Sequence, residues 1–259
     1  MGRMNKPGHP SAETATTHFG YREVPVQEKQ RLVGRVFTSV ARRYDLMNDL
    51  MSFGIHRLWK RHFVAVSGIR PGDCVLDLAG GTGDIAALLK PVVGERGEIV
   101  VGDINAAMLG VGRDRLTDRG LVGGLAYAQL NAECLPFPEA SFDAVTMAFG
   151  LRNVTDKDRA LAEIRRVLKP GGRALILEFS RVRGELLGKL YDFHSFAVLP
   201  RLGQVFAGDA DSYRYLAESI RKHPDQETLK AMMTRAGFDH VEVRNLNQGI
   251  VAIHKGFRY

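Results

Sequence analysis

The feature that most constrains this chain is a glycine-rich turn set between an apolar run and a helical pattern. Val75-Leu76-Asp77-Leu78-Ala79 has the length of a buried strand, Gly80-Gly81-Thr82-Gly83 follows it, and residues 84 to 93 read as a helix. Glycine has no side chain, so such a turn lets backbone N–H groups and the positive end of a helix approach a ligand closely. Two acids belong to the arrangement. Asp77 lies on the first strand, and Asp103 closes the second, about twenty residues beyond the glycines, where a carboxylate can accept hydrogen bonds from both hydroxyls of a ribose.

The same alternation continues along the chain. Residues 98–102, 125–130, 142–148 and 173–178 read as strands, and residues 106–119 and 157–168 as helices. Strands alternating with helices of this length predict an α/β fold, a mostly parallel sheet wound on both faces. Near the C-terminus, residues 241–246 and 250–254 are strand-like runs around Asn247-Gln248-Gly249, which predicts an antiparallel hairpin at one sheet edge. Before the sheet, residues 27–67 carry Leu32, Val33, Val36, Phe37 and Val40 at helical spacing, giving an N-terminal helical cap over residues 27–70. The polar segment 1–26 is expected to be a disordered leader, and residues 27–259 a single domain. An insertion over residues 181–221 is rich in large apolar side chains, among them Leu186, Leu187, Phe193 and Phe196. These either pack on the core or form an apolar lid over the site.

Composition removes several classes. With 259 residues, 45% of them hydrophobic, the chain can bury one substantial core. Charged residues interrupt every apolar window before it reaches the roughly 18 to 20 residues needed to span a bilayer. Two cysteines, Cys74 and Cys134, offer neither a disulfide framework nor a cysteine metal site, and the histidines lack metal-ligand spacing, so no metal is expected. The net charge of +7 is scattered rather than gathered into a polybasic block, which gives no reason to expect nucleic acid.

The turn itself narrows the ligand. Its spacing is not G-x-G-x-x-G, and Asp84 puts a carboxylate where a dinucleotide pyrophosphate would sit. A cationic sulfonium such as S-adenosyl-L-methionine tolerates nearby acids.

Asp77-Leu-Ala-Gly-Gly-Thr-Gly-Asp84 resembles motif I of class I methyltransferases, and in this form it resembles the UbiE/MenG family of ubiquinone and menaquinone C-methyltransferases. Two long stretches carry the likeness further: Tyr44-Asp-Leu-Met-Asn-Asp-Leu-Met-Ser-Phe-Gly-Ile-His-Arg-Leu-Trp59-Lys60, and Arg166-Val-Leu-Lys-Pro-Gly-Gly-Arg-Ala-Leu-Ile-Leu-Glu-Phe-Ser180. Phe149-Gly-Leu-Arg-Asn-Val-Thr-Asp156 and the stretch from Tyr215 to Leu229 add to it, so that the likeness covers nearly the whole chain after the leader. The resemblance implies a class I methyltransferase fold with a seven-stranded sheet. It implies a methyl donor held by Gly81, Thr82, Asp103, Asn131 and Ala132. It also implies a catalytic group of Arg152 and Asn153, joined from the cap by Tyr44, acting on a polyprenyl quinol. Arginine is too basic to take a proton at neutral pH, so Arg152 is assigned to stabilising the quinol oxyanion or orienting a water. Where relatives often carry serine, this chain has Ala148, so a hydroxyl contact is absent there. The expected setting is cytoplasmic, peripheral to the inner face of the membrane, with a homodimer or a quinone-biosynthesis complex compatible with it.

Overall fold

The computed structural model describes residues 15–41, 44–52, 54–184, 197–201 and 210–259. Seven strands form one sheet: β3 (Cys74–Leu78), β4 (Glu98–Asp103), β5 (Leu125–Gln129), β6 (Phe142–Ala148), β7 (Leu168–Phe179), β8 (Asp239–Leu246) and β9 (Val251–Phe257). Their order is β5-β4-β3-β6-β7-β9-β8. Neighbours from β5 to β7 are parallel, and β9 runs antiparallel to both β7 and β8. The expected C-terminal hairpin is therefore present, with its second strand inside the sheet and its first at the edge.

Strand alternation explains the two-faced core. On β3, Val75 packs into one buried cluster while Leu76 and Leu78 enter the other. The first face is covered by α4 (Asp84–Val93), the cap and α7 (Ala210–Lys222); the second is covered by α6 (Lys157–Val167) and α8 (Gln226–Arg235), whose Leu161, Ile164, Leu229 and Met233 are buried against it. Helix α5 (Ala106–Asp118) begins at Asn105, whose side chain accepts from the N–H groups of Ala107 and Met108. Asp156 and Asp225 cap α6 and α8 in the same way.

From β3 the chain moves outward to β4 and β5, then crosses back to β6 on the other side. The strand order reverses at β3, and the carboxyl ends of β3, β4 and β6 open a crevice there, the place where open α/β sheets bind ligands.

Two features depart from the sequence reading, at the N-terminus and at the start of β7. Residues 16–25, assigned to a disordered leader, form a two-stranded antiparallel hairpin of β1 (Thr16–Phe19) and β2 (Arg22–Pro25). It is held by tertiary contact: Phe19 is buried, and the Tyr21 N–H donates to Glu218 Oε2 on α7. The helical cap consists of α1 (Val26–Val40), α2 (Tyr44–Ser52) and α3 (His56–Ala65), with a turn at Gly54 where φ is +76°. Finally, β7 begins at Leu168, before the Lys169-Pro170-Gly171-Gly172 segment, and the register with β6 shifts between Leu168 and Arg173 to accommodate it. The apolar residues Leu186, Leu187, Phe193 and Phe196 of the expected lid lie outside the described residues.

Candidate active site

The glycine turn works through close approach. Gly83 adopts φ +77°, and a Cβ there would lie 2.8 Å from Leu116 of α5; a Cβ on Gly112 would lie 2.6 Å from the Gly81 carbonyl. Helix α5 is thus pressed directly on the turn. Two non-glycine residues at adjoining strand ends also hold positive φ: Ala79 after β3 at 55° and Phe149 after β6 at 57°. Such backbone is disfavoured for side-chain-bearing residues and persists where surrounding structure enforces it, as it does at many binding sites.

Asp103, at the carboxyl end of β4, braces the turn. Its Oδ2 accepts from the Gly81 N–H at 3.0 Å, and its Oδ1 from the Asn105 N–H at 2.8 Å. Burial raises its carboxyl to about 6 against these favourable hydrogen bonds. Each oxygen keeps acceptor capacity for a ribose hydroxyl. Asp77 is fully buried, accepts from Thr146 Oγ1 at 2.9 Å through Oδ1, and leaves Oδ2 with no partner among the described residues. Burial pushes this carboxyl up to about 7.

Asp84, in the first turn of α4, is already neutralised. Lys60 Nζ of α3 donates to its Oδ2 at 2.6 Å and Arg115 of α5 to its Oδ1 at 3.3 Å, and these cations hold its carboxyl below the usual range. The sequence places this carboxylate close to the ligand but does not show what pairs with it. Its charge is spent in pinning the cap to the glycine turn.

These groups line one cleft enclosing about 1070 Å³ of atom-free space, part of it continuous with solvent. Gly81, Thr82, Asp103, Asn131 and Ala132 all line it, on the sheet side; Phe37 of α1, Tyr44 of α2 and Lys60 of α3 close it from the cap. Asn153 lines it from the short 3-10 helix after β6 (Leu151–Asn153), and Ala148 from the strand end. A paired ribose acceptor, a side-chain-free backbone turn and an uncommitted buried carboxyl oxygen form a set that fits the nucleoside and amino-acid ends of S-adenosyl-L-methionine.

The ubiE/COQ5 methyltransferase family matches residues 24–258 of this chain. The chain belongs to the ubiE/COQ5 methyltransferase family. It is 66% identical over 245 residues to the ubiquinone/menaquinone biosynthesis C-methyltransferase UbiE of Xanthomonas axonopodis pv. citri (strain 306), covering 95% of this chain and 97% of that one. To the enzyme of the same name from Xylella fastidiosa (strain 9a5c) it is 67% identical over 249 residues, covering 96% and 98%. Among solved structures, a SAM-dependent methyltransferase from Aquifex aeolicus superposes with TM-score 0.59 at 18% identity, over 86% of this chain and 98% of that one. The putative methyltransferase in complex with the Haloferax volcanii Trm112 activator gives a TM-score of 0.62 at 18% identity, over 87% and 96%. Both likenesses are of fold, and the fold is that of a class I methyltransferase.

Within this family site, one expected residue is elsewhere. Arg152 does not line the cleft. Its side chain is 1% exposed, and Nη1 donates to Glu178 Oε1 at 2.8 Å and to the Phe149 carbonyl at 2.6 Å. A buried guanidinium needs a carboxylate, and β6-β7 pairing brings Glu178 to it. The expectation that Arg152 contacts the quinol oxygen is therefore corrected. Arg152 ties the strained Phe149 turn to the end of β7 and so positions Asn153, the next residue. Tyr215 on α7, whose hydroxyl donates to Asn153 Oδ1 at 3.0 Å, was assigned no chemistry from the sequence, although it opens one of the stretches resembling the family. Lys60 was likewise quoted for resemblance alone.

Among the described residues no group of His, Cys, Asp and Glu is placed to hold a metal ion.

Proposed function

We propose that this chain transfers the methyl group of S-adenosyl-L-methionine to a ring carbon of a polyprenyl quinol in ubiquinone and/or menaquinone biosynthesis, releasing S-adenosylhomocysteine. The observation that carries this reading is the Asp103–Gly81 cradle at the sheet's switch point, in a chain 66% identical to enzymes named for this reaction. The donor supplies an activated sulfonium methyl. The protein must hold it in line with the ring carbon, exclude water and favour the ionised form of the neighbouring quinol hydroxyl. Positioning alone can offset about 7 to 11 kcal/mol of barrier.

Each lining residue has a part in this proposal. Asp103 accepts from the ribose, and the side-chain-free turn at Gly81 and Thr82 lets the donor's amino-acid end sit against backbone. Asn131 and Ala132 flank the base. Tyr44 and Asn153 line the acceptor side, where a phenol O–H and an amide N–H can donate to the quinol oxygen as negative charge gathers on it. The partly wet side of the cleft gives the acceptor an entrance.

No helix among the described residues is long and apolar enough to cross a membrane. A polyprenyl tail stays in lipid, so the reading includes docking at the membrane surface from the cytoplasmic side.

The test is direct. Calorimetry should show S-adenosylhomocysteine binding and no binding of NAD. Incubation with labelled donor and lipid extract should place the label on a quinol ring carbon by mass spectrometry. Tight NAD binding, or label only on water-soluble products, would refute the reading.

A further inference from the structure

Asn153 lines the cleft, and an amide there can turn either end toward a substrate. Nδ2 inward would donate to a developing oxyanion; Oδ1 inward would repel it. Tyr215 decides between them. Its ring is 4% exposed, and its hydroxyl donates to Asn153 Oδ1 at 3.0 Å, the one hydrogen bond it makes among the described residues. If the amide were reversed, Nδ2 would donate to the phenol oxygen and the buried phenol proton would lose its acceptor, which is costly. Burial also raises the phenol's pKa, so the hydroxyl keeps that proton at neutral pH.

The tyrosine is itself fixed. Phe19 of the N-terminal hairpin stacks on its ring with centroids 4.1 Å apart and planes 15° apart, and Arg22 lies over the Phe19 ring at 5.1 Å from its centroid. A long α7 side chain thus spans from the hairpin to the acceptor side of the cleft with little freedom to turn.

We propose that Tyr215 is a positioning residue for the methyl transfer: it locks the Asn153 amide so that Nδ2 points into the cleft and donates to the quinol oxygen next to the reacting carbon. This role rests on the quinol reading above. The Phe19 stack extends it to residues 16–25, which become a strut of the active site.

The experiment measures kcat and KM on a short-tailed demethylated quinol, together with S-adenosylhomocysteine affinity and thermal unfolding, for the unmodified chain, Tyr215→Phe, Asn153→Ala and the double variant. Tyr215→Phe keeps the ring and removes one neutral hydrogen bond, so kcat should fall about tenfold while donor affinity stays within about twofold. In the Asn153→Ala background the same change should cost nothing further, because the two side chains act as one unit. Asn153→Asp keeps the acceptor for Tyr215 and removes the donor, so its kcat should fall at least as far as that of Asn153→Ala. Unchanged kcat in Tyr215→Phe beside an active parent, equal losses in both backgrounds, or full turnover by Asn153→Asp would overturn this role alone. No quinol turnover by the unmodified chain would overturn the substrate reading, and this role with it.

Discussion

Replacing Asp103 by asparagine probes the donor side of the cleft with a change of one atom. The carboxylate now takes the Gly81 and Asn105 N–H groups and keeps acceptor capacity on both oxygens. In asparagine one of those oxygens becomes an N–H₂ donor facing either a backbone N–H or a ribose hydroxyl. Hydrogen bonds to a charged group contribute about 1.5 to 3 kcal/mol, so S-adenosylhomocysteine should bind roughly 10- to 150-fold more weakly. The pH dependence supplies a second, independent figure. Burial raises Asp103 to about 6, and the ionised form is the one that accepts from the ribose. Affinity should therefore rise with pH through 6, with Kd about tenfold larger at pH 5 than at pH 7. Titration calorimetry across this range, in buffers of different ionisation enthalpy, reads both the affinity and the proton released on binding. Asp103→Asn should lose the slope below pH 6.5; any slope remaining near 7 belongs to Asp77. An affinity within threefold of the parent, with the acid-side slope intact, would refute the assignment of Asp103 to the ribose.

Three further outcomes follow from the geometry. Arg152→Ala strips a buried carboxylate, Glu178, of its partner and should cost about 3 to 5 kcal/mol of stability; denaturant unfolding reads it, and Arg152→Ala/Glu178→Ala should recover part of the loss. Gly83→Ala places a Cβ 2.8 Å from Leu116 at φ +77°, so it should destabilise by about 1 to 3 kcal/mol and weaken donor binding; a variant of parental stability and affinity would show the turn to be looser than described. Asp77→Asn should stabilise the free protein. The unfolded chain ionises this carboxyl near 3.8 and the folded one near 7, so ionisation weighs increasingly against the fold between about pH 4 and 7. The gain, about 2 to 4 kcal/mol, should appear at pH 8 and vanish at pH 4, at the expense of donor binding; an equal gain at both pH values would assign it to packing instead.

How much of this was legible in the sequence depended on how local the determining contacts are. The donor side is built from one strand-turn-helix and the end of the next strand, so the glycine turn, Asp77 and Asp103 followed from spacing, while Gly81 and Thr82 as donor contacts came with the resemblance to the family. The sheet was legible because strands buried on both faces are near-continuous apolar runs separated by helical periods. The hairpin was not: β1 and β2 have four residues each, and what stabilises them is Phe19 against Tyr215, far along the chain. Arg152 was misplaced for the same reason. Its direction is set by Glu178, which only the pairing of β6 with β7 brings near. The pairing of Asp84 was not visible, because its cations, Lys60 and Arg115, come from separate elements on either side of the turn.

The insertion of β9 between β7 and β8 has a consequence for the order in which the molecule can be assembled. During synthesis the crevice-forming edges of β3, β4 and β6 are all made before residue 150, and the glycine turn can close against α5 early. The flank of β7 has no partner until residues 251–257 emerge, and β8, though made first, has only β9 to pair with in the sheet. Until then a long apolar strand, with Leu175, Ile176 and Leu177 destined for burial, presents unpaired backbone to its surroundings. A nascent or truncated chain is thus most exposed to wrongful pairing or proteolysis at an edge far from the chemistry, and seven late residues govern the yield of a site they do not touch.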